Sequence, residues 1–103
     1  MREQFIAAIH SKNKLRLTFF SKEDGGDLIR TCAPMDYGPS RRTRNLDDRF
    51  HFWDYDSDTG RHTLSLLPPQ VVSIILLDDL FEPAEFVTWR PEWIVARDWG
   101  AYS

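Results

Sequence analysis

The sequence predicts a mainly β fold: a small five-stranded barrel or curled sheet, preceded by one short helix and followed by a tryptophan-rich segment. Three observations carry that expectation. The first ten or so positions repeat their apolar residues at helical spacing, whereas from Leu15 onward apolar and polar residues alternate. Polar turn clusters, KEDGGD at 22–27, GPS at 38–40 and DSDTG at 56–60, then interrupt the chain at short intervals. Finally, 103 residues that are 42% hydrophobic suffice for one modest core, so residues 1–103 are expected to form a single domain.

Residues 2–11, REQFIAAIHS, read as the helix. Phe5 and Ile9 lie four apart, Ile6 sits beside them, and two alanines favour the state. Asn13 can stop it, and one apolar face then caps a sheet. Leu15, Leu17 and Phe19 alternate with Arg16, Thr18 and Phe20 in a strand ending at Ser21. LIRTCA (28–33) returns across the glycine turn and is expected to end at Pro34, because proline cannot donate into a sheet ladder. Residues 35–48 would then be the longest irregular stretch. RFHFWDY (49–55), RHTLSLL (61–67) and QVVSIILL (70–77) supply the last three strands. FEPAEFVTW (81–89) is expected to open with a helical turn, with Pro83 in its first turn. The barrel would span about 14–77, and the extension 78–103 would fold back over its open end.

Charge is uneven. Residues 1–50 hold ten Lys/Arg against seven Asp/Glu; residues 51–103 hold three against nine. The densest basic point is Arg41, Arg42 and Arg44 in GPSRRTR, the best-placed candidates for an anionic partner. A basic signal over the whole chain is missing, which argues against nonspecific duplex binding. The single Cys32 excludes an internal disulfide framework and reads as a small buried residue. No apolar run has the length of a signal peptide or a membrane span, so a cytoplasmic, bacterial-type protein is expected.

Residues 50–60, FHFWDYDSDTG, raise the question of chemistry. Asp54, Asp56 and Asp58 are spaced like the start of a calcium loop, but the sharp-turn glycine comes one place late and the bidentate acid is absent. The tip is ordinary hairpin chemistry. Phe50 and Phe52 share one face and read as core. Arg49, His51, Trp53 and Tyr55 share the other, where rings either cover the C-terminal segment or stack a flat ligand while Arg49 and His51 contact phosphate. His51 and His62 flank the turn and are candidates to face each other, but no third metal ligand follows from spacing. No nucleophile elbow and no phosphate-cradling glycine loop is present.

The order of these elements over roughly residues 5–77 resembles the WYL domain: short helix, LRLTFF, LIRTCAPMDY, FHFWDYDSDTGRHTLSL, QVVSI. Arg30 and Pro34 fit the family's Arg and Pro on the second strand, and His51, Phe52 and Trp53 fall where its Trp-Tyr-Leu motif lies. HFW stands in place of that motif, and Pro68, Pro69 and Gln70 replace the arginines of the following strand. The resemblance implies an SH3/Sm-like β-barrel. Such domains are usually attached to a winged helix in bacterial transcription regulators, and sense nucleic acid or small ligands through a basic, aromatic groove. This chain would be a stand-alone member.

A non-catalytic binding module is therefore expected, without cofactor or metal, for a nucleic acid strand or nucleotide-like anion. Arg30, Arg49 and Arg41, Arg42 and Arg44 would meet phosphate with His51, and Trp53 and Tyr55 would stack; Tyr37 belongs to the same site, which requires Tyr37 and Trp53 to lie near the loop arginines. The alternative is a protein-interaction or dimerisation module using Trp89, Trp93 and Trp99, which serve equally well to close the core. A homo-oligomer is compatible with either.

Overall fold

A computed structural model describes residues 1–42 and 44–103. Helix α1 (Arg2–Ser11) buries Phe5, Ala8 and Ile9, the i, i+3, i+4 stripe expected of a helix lying on a sheet. It ends where Lys12 takes a left-handed conformation (φ 61°) and its N–H returns to the Ala8 carbonyl. Asn13 is already the first residue of β1, and its amide Nδ2 donates to the Leu77 carbonyl.

Five strands follow: β1 (Asn13–Ser21), β2 (Gly26–Pro39), β3 (Asp48–Asp54), β4 (Thr63–Leu66) and β5 (Val71–Leu80). They form one antiparallel sheet in the order β4-β3-β2-β1-β5. β4 and β5 are its outer strands and do not pair with each other, so hydrogen bonding leaves the sheet open. Single-turn 3-10 helices at Pro68–Gln70, Pro83–Glu85 and Gly100–Tyr102 punctuate the rest. Pro83 opens the second of these, as its fixed φ predicts.

The alternation holds. Leu15, Leu17 and Phe19 are buried while Arg16 and Phe20 are exposed. Phe5 meets Phe50 and Phe52 edge-on at 5.0 and 5.2 Å between ring centroids, the arrangement that ring quadrupoles favour. No described helix is long and apolar enough to cross a membrane.

One strand departs from expectation. β2 does not stop at Pro34 but continues to Pro39, so Met35–Pro39 is strand rather than loop. The reason is a change of partner. β2 pairs with β1 only over Gly26–Cys32 and with β3 over Cys32–Pro39. Pro34 therefore sits where β2 has already left β1, and a bulge between the Pro34–Phe52 and Asp36–His51 pairs re-phases the ladder. The connection is shortened to the stretch between Pro39 and Asp48.

Candidate functional site

The extra length of β2 positions the site. The bulge turns Asp36 onto the same side as His51, where its carboxylate is buried. There it accepts hydrogen bonds from the backbone N–H groups of Ile94 (2.8 Å), Val95 (2.9 Å) and Tyr37 (3.0 Å), and pairs with Arg97 at 3.3 Å. Asp36 is thus the peg on which the C-terminal segment hangs. Gly38 makes the seat: at φ 150° it carries no Cβ, and one would stand 2.6 Å from Ile94 Cδ1.

The Arg97 side chain is fully buried. Its guanidinium lies over Trp93 and Trp99, 4.2 and 4.4 Å from the ring centroids, and also donates to the Met35 and Val95 carbonyls. Burial lowers its pKa to about 10 against the opposing pull of Asp36, so it is charged at neutral pH. Trp99 Nε1–H donates to the Ile9 carbonyl at 2.8 Å, and Trp93 Nε1–H to the Tyr102 carbonyl at 2.7 Å. Two of the three tail tryptophans therefore close the molecule internally. Trp89, meeting Trp93 edge-on at 5.9 Å, stays exposed.

Between this tail, the end of β2 and the β3–β4 pair lies an open cleft of about 320 Å³. Arg41, Arg42 and Arg90 line it with His51, Trp89 and Trp93. Arg41 is tied to the tail: it donates to the Glu92 carboxylate and carbonyl, both at 2.6 Å. Among the described residues neither Arg42 nor Arg90 enters a salt bridge. His51 is fixed through both ring nitrogens. Nε2–H donates to the Gly38 carbonyl (2.9 Å), and Nδ1 is hydrogen-bonded to the Ser65 hydroxyl (2.8 Å). His51 pairs with Ser65, not with His62, so the facing-histidine arrangement does not form.

The remaining expected residues lie elsewhere. Trp53 stacks on His62 (4.8 Å) and Phe86 (5.6 Å), and Tyr55 lies under the Lys14 ammonium with its hydroxyl toward Glu85. Both cover the C-terminal segment instead of forming an open platform. Burial, then Glu85, pushes the Tyr55 phenol up. Tyr37 packs on Phe50 at 5.0 Å with Arg2 above it, and neither Tyr37 nor Trp53 lines the arginine cleft. Arg49 is half-buried, its Nε without a hydrogen-bond partner among the described residues, and Arg44 is exposed outside the cleft.

Arg30 lines a separate hollow with Asp54, 3.7 Å from that carboxylate, and donates to the Asp56 carbonyl. Burial holds the Asp54 carboxyl above the usual carboxylate range, opposed by the Asp56 N–H bond and by Arg30. Burial, reinforced by Asp54 and Asp56, likewise pushes the Cys32 thiol up and keeps it protonated. The Asp54–Asp58 segment gathers no metal set: Asp56 caps the Thr31 N–H, and no metal-binding group of His, Cys, Asp and Glu occurs among the described residues.

Arg90, Glu92 and Asp36 are the charged cleft residues the sequence reading missed. The signal for Asp36 was an acid amid buried apolar positions in APMDYG. Arg90 had a flanking tryptophan and nothing else.

No protein-family model matches the chain, and comparison with curated proteins and with solved structures likewise returns no match.

Proposed function

We propose that the protein is a non-catalytic binding module whose cleft takes a nucleotide-like anion or a short stretch of single-stranded nucleic acid. The observation that carries this reading is the lining of the cleft: three arginines converge with an exposed tryptophan on a concave surface. Arg42 and Arg90 supply uncommitted charge for phosphate, and Trp89 supplies a ring face for a base. A volume of about 320 Å³ is at the low end of small-molecule sites, roughly 300–1,000 Å³, which favours a single nucleotide unit over a duplex. The kinship with WYL domains belongs to the same proposal, with the SH3/Sm-like barrel in an opened form and its basic, aromatic groove moved from the β3 face to the cleft under the tail.

Fluorescence polarisation with a labelled single-stranded oligonucleotide, at low and at physiological salt, tests it. Affinity should fall with salt at a log–log slope of about −0.7 per phosphate neutralised. The Arg42→Ala/Arg90→Ala double variant should lose binding, and Arg44→Ala should keep it. Absence of binding at either salt, for the oligonucleotide and for free nucleotides alike, sinks the reading and favours the tail as a protein-contact surface. Trp89 would then be its exposed anchor, since Trp99 is committed to the core.

A further inference from the structure

β5 stands at the end of the sheet beside β1 and carries an uncharged, largely aliphatic run, VVSIILL at 71–77. It spans ten residues, whereas the opposite outer strand, β4, has four. Along β5, Val72, Ile75, Leu76 and Leu80 are 53%, 52%, 39% and 63% exposed. Ile75 pairs with Arg16 and faces away from the core, while Leu76 pairs with Leu15 on the core side. Apolar surface therefore flanks the open edge above and below. The backbone N–H and C=O groups turned away from β1 have no neighbouring strand among the described residues. Natural sheets blunt such an edge with lysine, proline or a covering element. Within 71–77 there is neither lysine nor proline; Pro68-Pro69 and Asp78-Asp79 only bound the run.

We propose that a second copy of this chain pairs its β5 antiparallel to this one about a two-fold axis at Leu76, joining two five-stranded sheets into a continuous one. Residues directly opposite in an antiparallel pair share a face, which restricts the register. Centred on Leu76, the strand sets Leu76 against itself, Ile75 against Leu77, Ser73 against Asp79 and Val72 against Leu80. Only Asp78 then meets an aliphatic partner, Ile74. Centring on Ile75 sets Asp78 and Asp79 against Val72 and Val71; centring on Leu77 sets them against Leu76 and Ile75. Antiparallel pairing also separates the acidic ends. The two Asp78 positions lie about four residues apart along the pair, ~13 Å at 3.3 Å per residue, beyond the ~8 Å screening length at physiological salt. A parallel pair would stack them side by side. The interface shares no residue with the cleft, so the two proposals stand or fall separately.

Sedimentation velocity across a concentration series tests the pairing. The expected particle has twice the 12.1 kDa chain mass, and amide exchange on β5 slows as concentration rises. Leu76→Lys sets two ammonium groups opposite each other and should return the mass to that of one chain. Mixing it with Leu76→Asp should restore a mixed dimer, because among the antiparallel registers only this one brings the two positions together. If circular dichroism shows that Leu76→Lys does not fold, Ile75→Lys on the exposed face takes its place with the same expected loss. One-chain mass at every concentration overturns the proposal. So does a dimer that folded Leu76→Lys leaves intact, or a mass that climbs past two chains, which is the mark of head-to-tail pairing through β4.

Discussion

Two clusters of arginine and tryptophan are built around the same tail, meeting at Trp93, and have opposite fates. Arg97 is fully buried, over Trp93 and Trp99 and paired with Asp36. Arg42 and Arg90, beside Trp89, line the cleft and stay outside any salt bridge among the described residues. Residue type is the same in both; what differs is whether an anion was provided. Asp36 satisfies the first cluster and turns it into structure. Among the described residues the acids lining the second cluster's cleft are both engaged, Glu92 by Arg41 and Asp36 by Arg97 and the tail amides, which leaves cationic surface for a ligand. Fully partnered charge holds a fold together, and unpartnered charge beside a ring is available for binding.

The sharpest way to break the contrast is Asp36→Ala. It leaves a buried guanidinium unpaired and two tail amides without acceptors, and should cost about 3–5 kcal/mol in urea unfolding. The matching loss from Arg42→Ala or Arg90→Ala should stay within about 0.5 kcal/mol, as for ordinary surface changes. Next comes Gly38→Ala, where a Cβ would collide with the end of Ile94 and the backbone conformation disfavours an L side chain. A loss of about 1–3 kcal/mol is expected, with increased proteolysis of the tail, read by thermal melts and limited digestion. Smaller still is the single Arg42→Ala change on oligonucleotide binding, about tenfold or 1.4 kcal/mol, with a shallower salt slope.

The smallest effect concerns Asp54, whose carboxyl is raised from 3.8 chiefly by burial. At pH below 3.8 both folded and unfolded chains hold the proton, and the group is neutral toward folding. Between 3.8 and the raised folded value the folded chain alone keeps it. The penalty for a buried carboxylate therefore grows as pH rises through that window and is complete above it. Asp54→Asn should stabilise the protein by no more than about 1 kcal/mol above the window and by nothing below it, as melts across pH would read. Cys32 offers a control for all these variants: buried and protonated, it should react with a thiol reagent only on unfolding, so its labelling rate reports global opening.

Local pattern was legible in this chain because it depends on neighbours a few positions away. The Phe5–Ile9 spacing fixed α1 at the bounds found, and the Leu15-Leu17-Phe19 alternation assigned the buried face of β1 correctly. Phe50 and Phe52 were readable as core for the same reason. The Pro83 turn followed from a fixed φ.

Long-range partners were not legible. Nothing in LIRTCAPMDYGP says that β2 changes neighbours at Cys32, so Pro34 looked like an end when it sits on a side that β1 has already left. Trp53 and Tyr55 alternate as a free platform would, yet Phe86 and Glu85, some thirty residues on, cover them. Arg41 and Arg42 stood out as a basic run, but their meeting with Arg90 and Trp89 depends on Asp36 catching the tail amides. By itself the sequence determined which residues turn, alternate and coil, since those choices are made by backbone sterics and side-chain period. Which arginine became structure and which was left facing solvent was decided only when the tail folded back across β2, because a charge's role is set by the partner that tertiary contact brings within a few ångströms.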